Sequence, residues 1–327
     1  MNDQQDHPKS RTEMNRRTFV KIAGTGAVAS GLAGWIPQTA NAAPTVQSKA
    51  ETFVKRFYQS LSPTQRNVVC LPFDDARRSR ISPNWHVTEP LIGDDFFKDN
   101  QRELITEILK SITSEDGYER FLKQMDDDDG GVEAYSIAMF GNPEVGKFEW
   151  ELTGRHLTIR ADGNSVDKMA FGGPIVYGHG EEEPKNNLFH YQTKVANEVF
   201  AALDPKQRKA ALLAKAPRET DVPLQGPDGQ FPGVSVSELS KDQQELVEKT
   251  IQTMLKPYRE EDINEVLEVL KQGGGFSKLA IAYYQQDDLK SDKIWDIWRV
   301  EGPNFVWHFR GAPHVHTYLN VGIASDS

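Results

Sequence analysis

Cysteine is nearly absent from this chain of 327 residues: Cys70, within NVVCLPF, is the only one, so no disulfide framework can staple the fold, and its apolar neighbours predict a buried, inert thiol. Beyond residue 42 no apolar run is long enough to cross a bilayer, and no membrane span is expected there. Positive charge is also short. The 38 Lys and Arg against 48 Asp and Glu leave a formal net charge of −10, a surface that repels phosphate backbones and excludes nucleic acid as an expected partner. No glycine-rich phosphate loop follows a strand pattern; the GGG at 273–275 follows a helical one and reads as its C-terminal stop, so no nucleotide cofactor is expected. H-E-x-x-H, G-x-S-x-G and C-x-x-C are missing, which removes the signatures of zincins, α/β-hydrolases and zinc deaminases. DDDDGG at 126–131 does not make an EF-hand, because counting from Asp126 puts Gly130 at position five and Ile137 at position twelve; it reads as a solvated acidic stretch.

What is present begins at the N-terminus. NRRTFVK (15–21) precedes a glycine- and alanine-rich apolar run and then TANAAP, the order of a charged region, an apolar region and a small-residue cleavage site with Ala40 and Ala42 in place. Arg16 and Arg17, with Phe19 and Lys21 after them, predict a twin-arginine signal peptide over residues 1–42 and a periplasmic or extracellular mature protein. The run from Ile22 to Ile36 is 15 residues, shorter than the roughly 18 to 20 that a membrane anchor needs.

The remainder repeats itself. LSPTQR (61–66) recurs as LDPKQR (203–208), and NQRELITEILKSI (100–112) as DQQELVEKTIQTM (242–254), both at an offset of 142 residues. FEWELTGRHLTIR (148–160) lines up with DIWRVEGPNFVWHFR (296–310), matching Trp150 to Trp298 and Gly154 to Gly302 at an offset of 148. Ser62 and Asp204, each followed by proline, predict helix starts. Leu104, Ile105, Ile108, Leu109 and Ile112 make one helical stripe, and Leu246, Val247, Ile251, Met254 and Leu255 another. The period then changes. AYSIAMFG, KFEWELTG, RHLTIRAD and VDKMAFGG read as strands in the first copy, and KLAIAYYQQ, IWDIWRVEG, NFVWHFRG and HVHTYLNVG in the second. The expected fold is α+β: two diverged copies of a helices-then-antiparallel-meander unit, residues 43–185 and 186–327, packed as one pseudo-symmetric domain. Trp150, Trp295, Trp298 and Trp307 are assigned to the core of that unit rather than to a ligand site.

Eight histidines are few enough for their spacing to matter. His314 and His316 alternate in HVHTYLN, so they share one face of a strand. A hairpin closed by Gly311, Ala312 and Pro313 would set Arg310 opposite His314 and His308 opposite His316, bringing three imidazoles together. Three histidines with an open position are a known arrangement for a divalent transition metal, and imidazole alone does not choose among zinc, copper, iron and nickel. The competing reading is polar decoration of a wet hairpin face. Arg310 opposes a metal by its charge yet suits an anionic ligand beside one. His156, which aligns with Asn304, is the fourth candidate ligand; His179 lies beside Glu181, Glu182 and Glu183, a run that reads as a solvated loop.

Taken in order, LSPTQR, PFDD, NWH (84–86), YSIAMFGNP, the tryptophan-to-histidine stretch ending RHL, EGPNF and HVH resemble the domain-of-unknown-function family 3500 from about residue 49 to residue 320. The resemblance implies no activity. It includes the positions of His156, His314 and His316, whereas Arg155 stands where members often carry another histidine, and Tyr318, Leu319 and Asn320 where they often carry tryptophan, arginine and aspartate. Two functions are therefore expected to compete: an exported metal-binding protein or metalloenzyme, and a non-catalytic exported protein that binds a small ligand or partner.

Overall fold

The computed structural model describes residues 43–289 and 294–324; the segment assigned above to an export signal lies outside the described residues. Ser62 accepts from the Gln65 amide N–H while the Gln65 side chain accepts from the Ser62 N–H, a capping box with proline in the first turn, and Asp204 and Gln207 repeat it. These boxes start the short helices α2 (Pro63–Val69) and α6 (Pro205–Ala211), each entering a two-residue strand. The full order is α1 (Lys49–Ser60), α2, β1 (Cys70–Leu71), α3 (Asp99–Ser111), α4 (Glu115–Asp129), β2 (Ser136–Gly141), β3 (Phe148–Gly154), β4 (Leu157–Ala161) and β5 (Ile175–His179). Then come α5 (His190–Ala202), α6, β6 (Leu212–Leu213), β7 (Val234–Ser235), α7 (Lys241–Leu255), α8 (Glu260–Gln272), β8 (Ala280–Tyr284), β9 (Ile297–Gly302), β10 (Phe305–Arg310) and β11 (Val315–Val321).

Among the described residues these eight α-helices and eleven strands form an α+β fold around one mixed sheet, in the order β1-β2-β3-β4-β5-β11-β10-β9-β8-β6, with β7 pairing β8 off that path. The meanders are antiparallel; the short parallel pairs β1·β2 and β6·β8 lie at the two ends. The central seam is β5 against β11, with Val315 opposite His179 and His316 opposite Gly178. One expected strand is corrected. VDKMAFGG is not extended: Lys168, Phe171 and Gly172 have positive φ, Ala170–Gly172 is a 3₁₀ turn, and the strand is Ile175–His179, where β-branched and aromatic residues follow Gly173-Pro174. The glycines after α8 do end it, with Gly274 and Gly275 at positive φ.

Strand alternation divides the sheet into two unlike faces. Trp150, Leu152, Trp298, Val300, Trp307 and Phe309 join the core built with Val54, Phe57, Ile105, Ile108, Val247 and Ile251 of the helices, which places three of the four tryptophans in that core and Trp295 packed against it. The opposite face carries Glu149, Glu151, Arg160, Arg299, Glu301, His308 and His316, buried beneath extended segments whose Trp85, Val87, Val222 and Leu224 pack onto its apolar patches. Across the core, Arg259 grips Glu51 of α1 with two bonds of 2.7 and 2.9 Å.

Candidate metal centre

At one end of the β5–β11 seam three imidazoles meet. Gly154 pairs with Leu157, which leaves Arg155 and His156 as a two-residue turn between β3 and β4. His156 takes a positive φ of 57°, a conformation in which histidine is enriched over bulkier side chains, and its N–H donates to Pro83 O at 2.6 Å. Gly178 makes the approach possible: a Cβ there would stand 2.2 Å from Val315 O and 3.3 Å from the His156 Cβ. His314 precedes β11 and His316 lies within it. The ring centroids are 5.0 Å apart for His156 and His314, 4.8 Å for His156 and His316, and 4.7 Å for His314 and His316.

Two carboxylates fix how the rings present their nitrogens. His156 Nδ1 is 2.8 Å from Asp128 Oδ2, and His316 Nδ1 is 3.0 Å from Glu219 Oε1. Burial raises the Glu219 pKa, but the hydrogen bond and charge of His316, the charge of Arg310 and the Tyr318 hydroxyl outweigh it and hold the carboxyl at about 2. Burial likewise opposes ionisation of Asp128, and the bonds from His156, Gln124 and the Gly180 N–H prevail to lower its pKa. An ionised carboxylate only accepts, so both Nδ1 atoms donate, and in the neutral imidazole this tautomer leaves Nε2 as the ligating nitrogen. This carboxylate–histidine pairing is the orientation that metal-bound imidazoles use. His314 Nε2 lies 3.0 Å from His316 Nε2, and the ligand atoms of all three histidines fall within 4.8 Å of one another. Two imidazole nitrogens on a tetrahedral ion with bonds of 2.0 to 2.1 Å stand about 3.4 Å apart, so small side-chain shifts bring the three to one ion. His314 is held neutral, its pKa pushed down to about 4 by burial and then by the charges of His316, His156 and Arg310; burial also lowers His316. Neutral imidazole is the ligating form.

The register separates His308 from this group. Arg310 pairs with His316 and His308 with Tyr318, because the connection spans five residues rather than three, a slip of two that keeps the side chain on the same face but moves it along the sheet. His308 Nδ1 instead accepts from Arg299 Nε at 3.3 Å, and the three-histidine hairpin expected from the turn does not form; the third imidazole is His156. Arg310 stays at the site, Nη2 3.5 Å from His314 Nε2 and Nε 3.3 Å from Glu219 Oε2. His179 is committed elsewhere: its Nδ1 accepts from the Leu188 N–H at 3.2 Å and its Nε2 faces Asp127 Oδ2 at 3.0 Å, in an open cleft of about 820 Å³ that Arg155 and Asn186 also line. Glu182 and Glu183 are exposed, as a solvated loop would be. Cys70 is half-buried, with burial raising its thiol to about 11, so it stays protonated and unreactive.

Sequence reasoning missed Asp128 and Glu219. Asp128 belongs to DDDD in the last turn of α4, which ends at Gly130 in the left-handed conformation. Four aspartates at a helix C-terminus oppose the helix dipole, and that local conflict was the available signal. Glu219, in APRETD, sits in irregular chain and carries no periodic signal.

A family model described as "Protein of unknown function (DUF3500)" matches residues 43–320. No curated protein and no solved structure matches the chain.

Proposed function

We propose, from the premise that the chain belongs to the DUF3500 family and that this family brings no assigned activity, that the protein binds one divalent transition metal ion through His156, His314 and His316. The observation that supports this most is the pair of carboxylates, Asp128 and Glu219, each accepting a hydrogen bond from an Nδ1–H, which turns Nε2 into the ligating nitrogen of two histidines whose ligand atoms lie with that of His314 within 4.8 Å of one another. A structural polar cluster needs no such convergence. Three imidazole ligands leave a coordination position open, and an ion so held supplies Lewis acidity and an acidified water. Around it His156 and His316 are kept in the ligating tautomer, Glu219 is kept ionised, and Tyr318 donates to Glu219 at 3.0 Å.

Elemental analysis of protein purified without a histidine tag tests the proposal. About one equivalent of zinc, copper, iron, nickel or cobalt per chain is expected, and His314→Ala with His316→Ala should abolish it and remove the rise in melting temperature on metal addition. No uptake by wild type from any of these metals, with no thermal shift, overturns the reading in favour of a non-catalytic binding protein.

We further propose that the two halves descend from a duplication. Support comes from the shared helix and strand order and from a repeated amide pair: Gln65 and Gln101 exchange bonds of 2.8 and 3.1 Å, and Gln207 and Gln243 exchange bonds of 3.2 and 2.9 Å. We also retain twin-arginine export as a proposal, on Arg16, Arg17 and the apolar run after them; among the described residues no helix is long and apolar enough to cross a membrane. Replacing both arginines by lysine should trap precursor in the cytoplasm, and continued export would overturn it.

A further inference from the structure

The metal reading leaves Arg310 unexplained, since a guanidinium beside three candidate ligands opposes a cation. It is not neutralised simply by its neighbours: its Nε is shielded from water yet makes no hydrogen bond, the contact to Glu219 Oε2 at 3.3 Å being an ion pair of poor geometry. Nor is it remote, because Nη2 stands 3.5 Å from His314 Nε2. Exposure shows where a ligand would enter. His156 and His316 are 4 % and 8 % exposed, whereas His314 is half-buried and the Arg310 side chain is 21 % exposed. The approach from solvent therefore runs past Arg310 to the side of the site that three imidazoles leave open.

Charge narrows what can sit there. The Arg310 guanidinium and a divalent ion on the three imidazoles would place two positive centres on one opening, which favours an anion over a neutral or cationic ligand. The planar guanidinium fork matches a carboxylate in plane and in the spacing of its donors, which a spherical anion cannot use. We infer that the ligand or substrate of this centre carries a carboxylate, bound between the metal's open position and Arg310. This inference rests on the metal reading above.

The test uses the full mature chain loaded with cobalt(II), whose visible absorption reports its coordination, titrated with acetate, chloride and phosphate. Acetate is expected to perturb the spectrum saturably and to bind more tightly than chloride or phosphate. Arg310→Met should hold the same metal equivalent, which also shows that the site has folded, and weaken acetate by about tenfold or more; Arg310→Lys, with the charge but not the fork, should fall between. No acetate response in cobalt-loaded wild type, equal affinity for chloride, tighter binding of phosphate, or unchanged affinity in Arg310→Met each overturns the carboxylate inference while leaving the metal reading standing. Failure of wild type to load cobalt or any other ion removes the metal reading and the inference with it.

Discussion

The two halves of the sheet's polar face solve one problem in opposite ways. At the 148-residue offset, Glu151, Thr153 and Arg160 of the first half correspond to Arg299, Glu301 and His308 of the second. In the first half the charges are sealed: Arg160, Glu149 and Glu151 have fully buried side chains, Arg160 pairs with Glu149 and with Glu151 at 3.3 Å, and it donates to Pro174 O and Arg78 O, both at 2.8 Å. In the second half Arg299 and Glu301 are 3.7 Å apart and line an open cleft of about 590 Å³ with Tyr284. The face thus carries a fully sealed ion network on one side and, on the other, a looser buried pair at the wall of a cleft. What differs is not the strands but the segments laid over them and the partners those strands carry.

Breaking each network in turn should expose the difference. Arg160→Met strands Glu151 and two backbone carbonyls in a sealed site, leaving Glu149 only Arg78 at 3.2 Å, and is expected to destabilise by about 3–5 kcal/mol. Arg299→Met leaves Glu301 with Gln225, bonded at 2.8 Å, and with water in the cleft, so about 1–2 kcal/mol is expected. Urea denaturation of both variants decides, and equal losses would mean the cleft does not relieve the second network.

A pH-dependent effect follows from His308, which stands at the position that Arg160 takes at the 148-residue offset. Burial, then the Arg299 charge, push His308 down to about 3, with Glu219 opposing and Arg310 adding to the depression. The folded pKa is below the unfolded value, so the unfolded chain takes up the proton first and stability is lost as pH falls from about 6.5 towards 3, by up to about 1.4 kcal/mol per pH unit. His314 adds a like loss down to about 4. For metal-free protein, the stability gap between wild type and His308→Gln should shrink steadily as pH is lowered through this window. A constant gap would show that His308 is already charged in the fold.

The smallest expected change sharpens the comparison of the two β-turns. His156→Asn places in the first turn the residue type that Asn304 supplies in the second, and asparagine tolerates a positive φ, so metal-free stability should move by less than about 1 kcal/mol while metal retention falls. A large fall in melting temperature without metal would make His156 a structural residue.

The parts legible in the sequence were those written locally. N-caps, proline at the first helical position, the stripes of α3 and α7 and the alternation of β3 and β9 all depend on neighbours within a few residues. The hairpin before β11 was misregistered because loop length between paired strands is set by packing, not by the three residues that look most like a turn. The strand placed at VDKMAFGG failed because alternating apolarity there serves a buried 3₁₀ turn around Phe171. The site itself is assembled across large separations: Asp128 to His156, and Glu219 to His316, 97 residues apart. No local pattern encodes such a meeting.

That separation bears on how the chain reaches its native state. Each half can form its hairpins from near neighbours, but joining β5 to β11 requires closing the chain between His179 and Val315, the slow, entropically costly kind of contact. His156 lies on one side of that closure and His314 and His316 on the other, so the three nitrogens converge only once the seam has zipped. A metal that needs all three would be captured by the finished fold and by no earlier species, which makes its uptake a clock for the last step of folding.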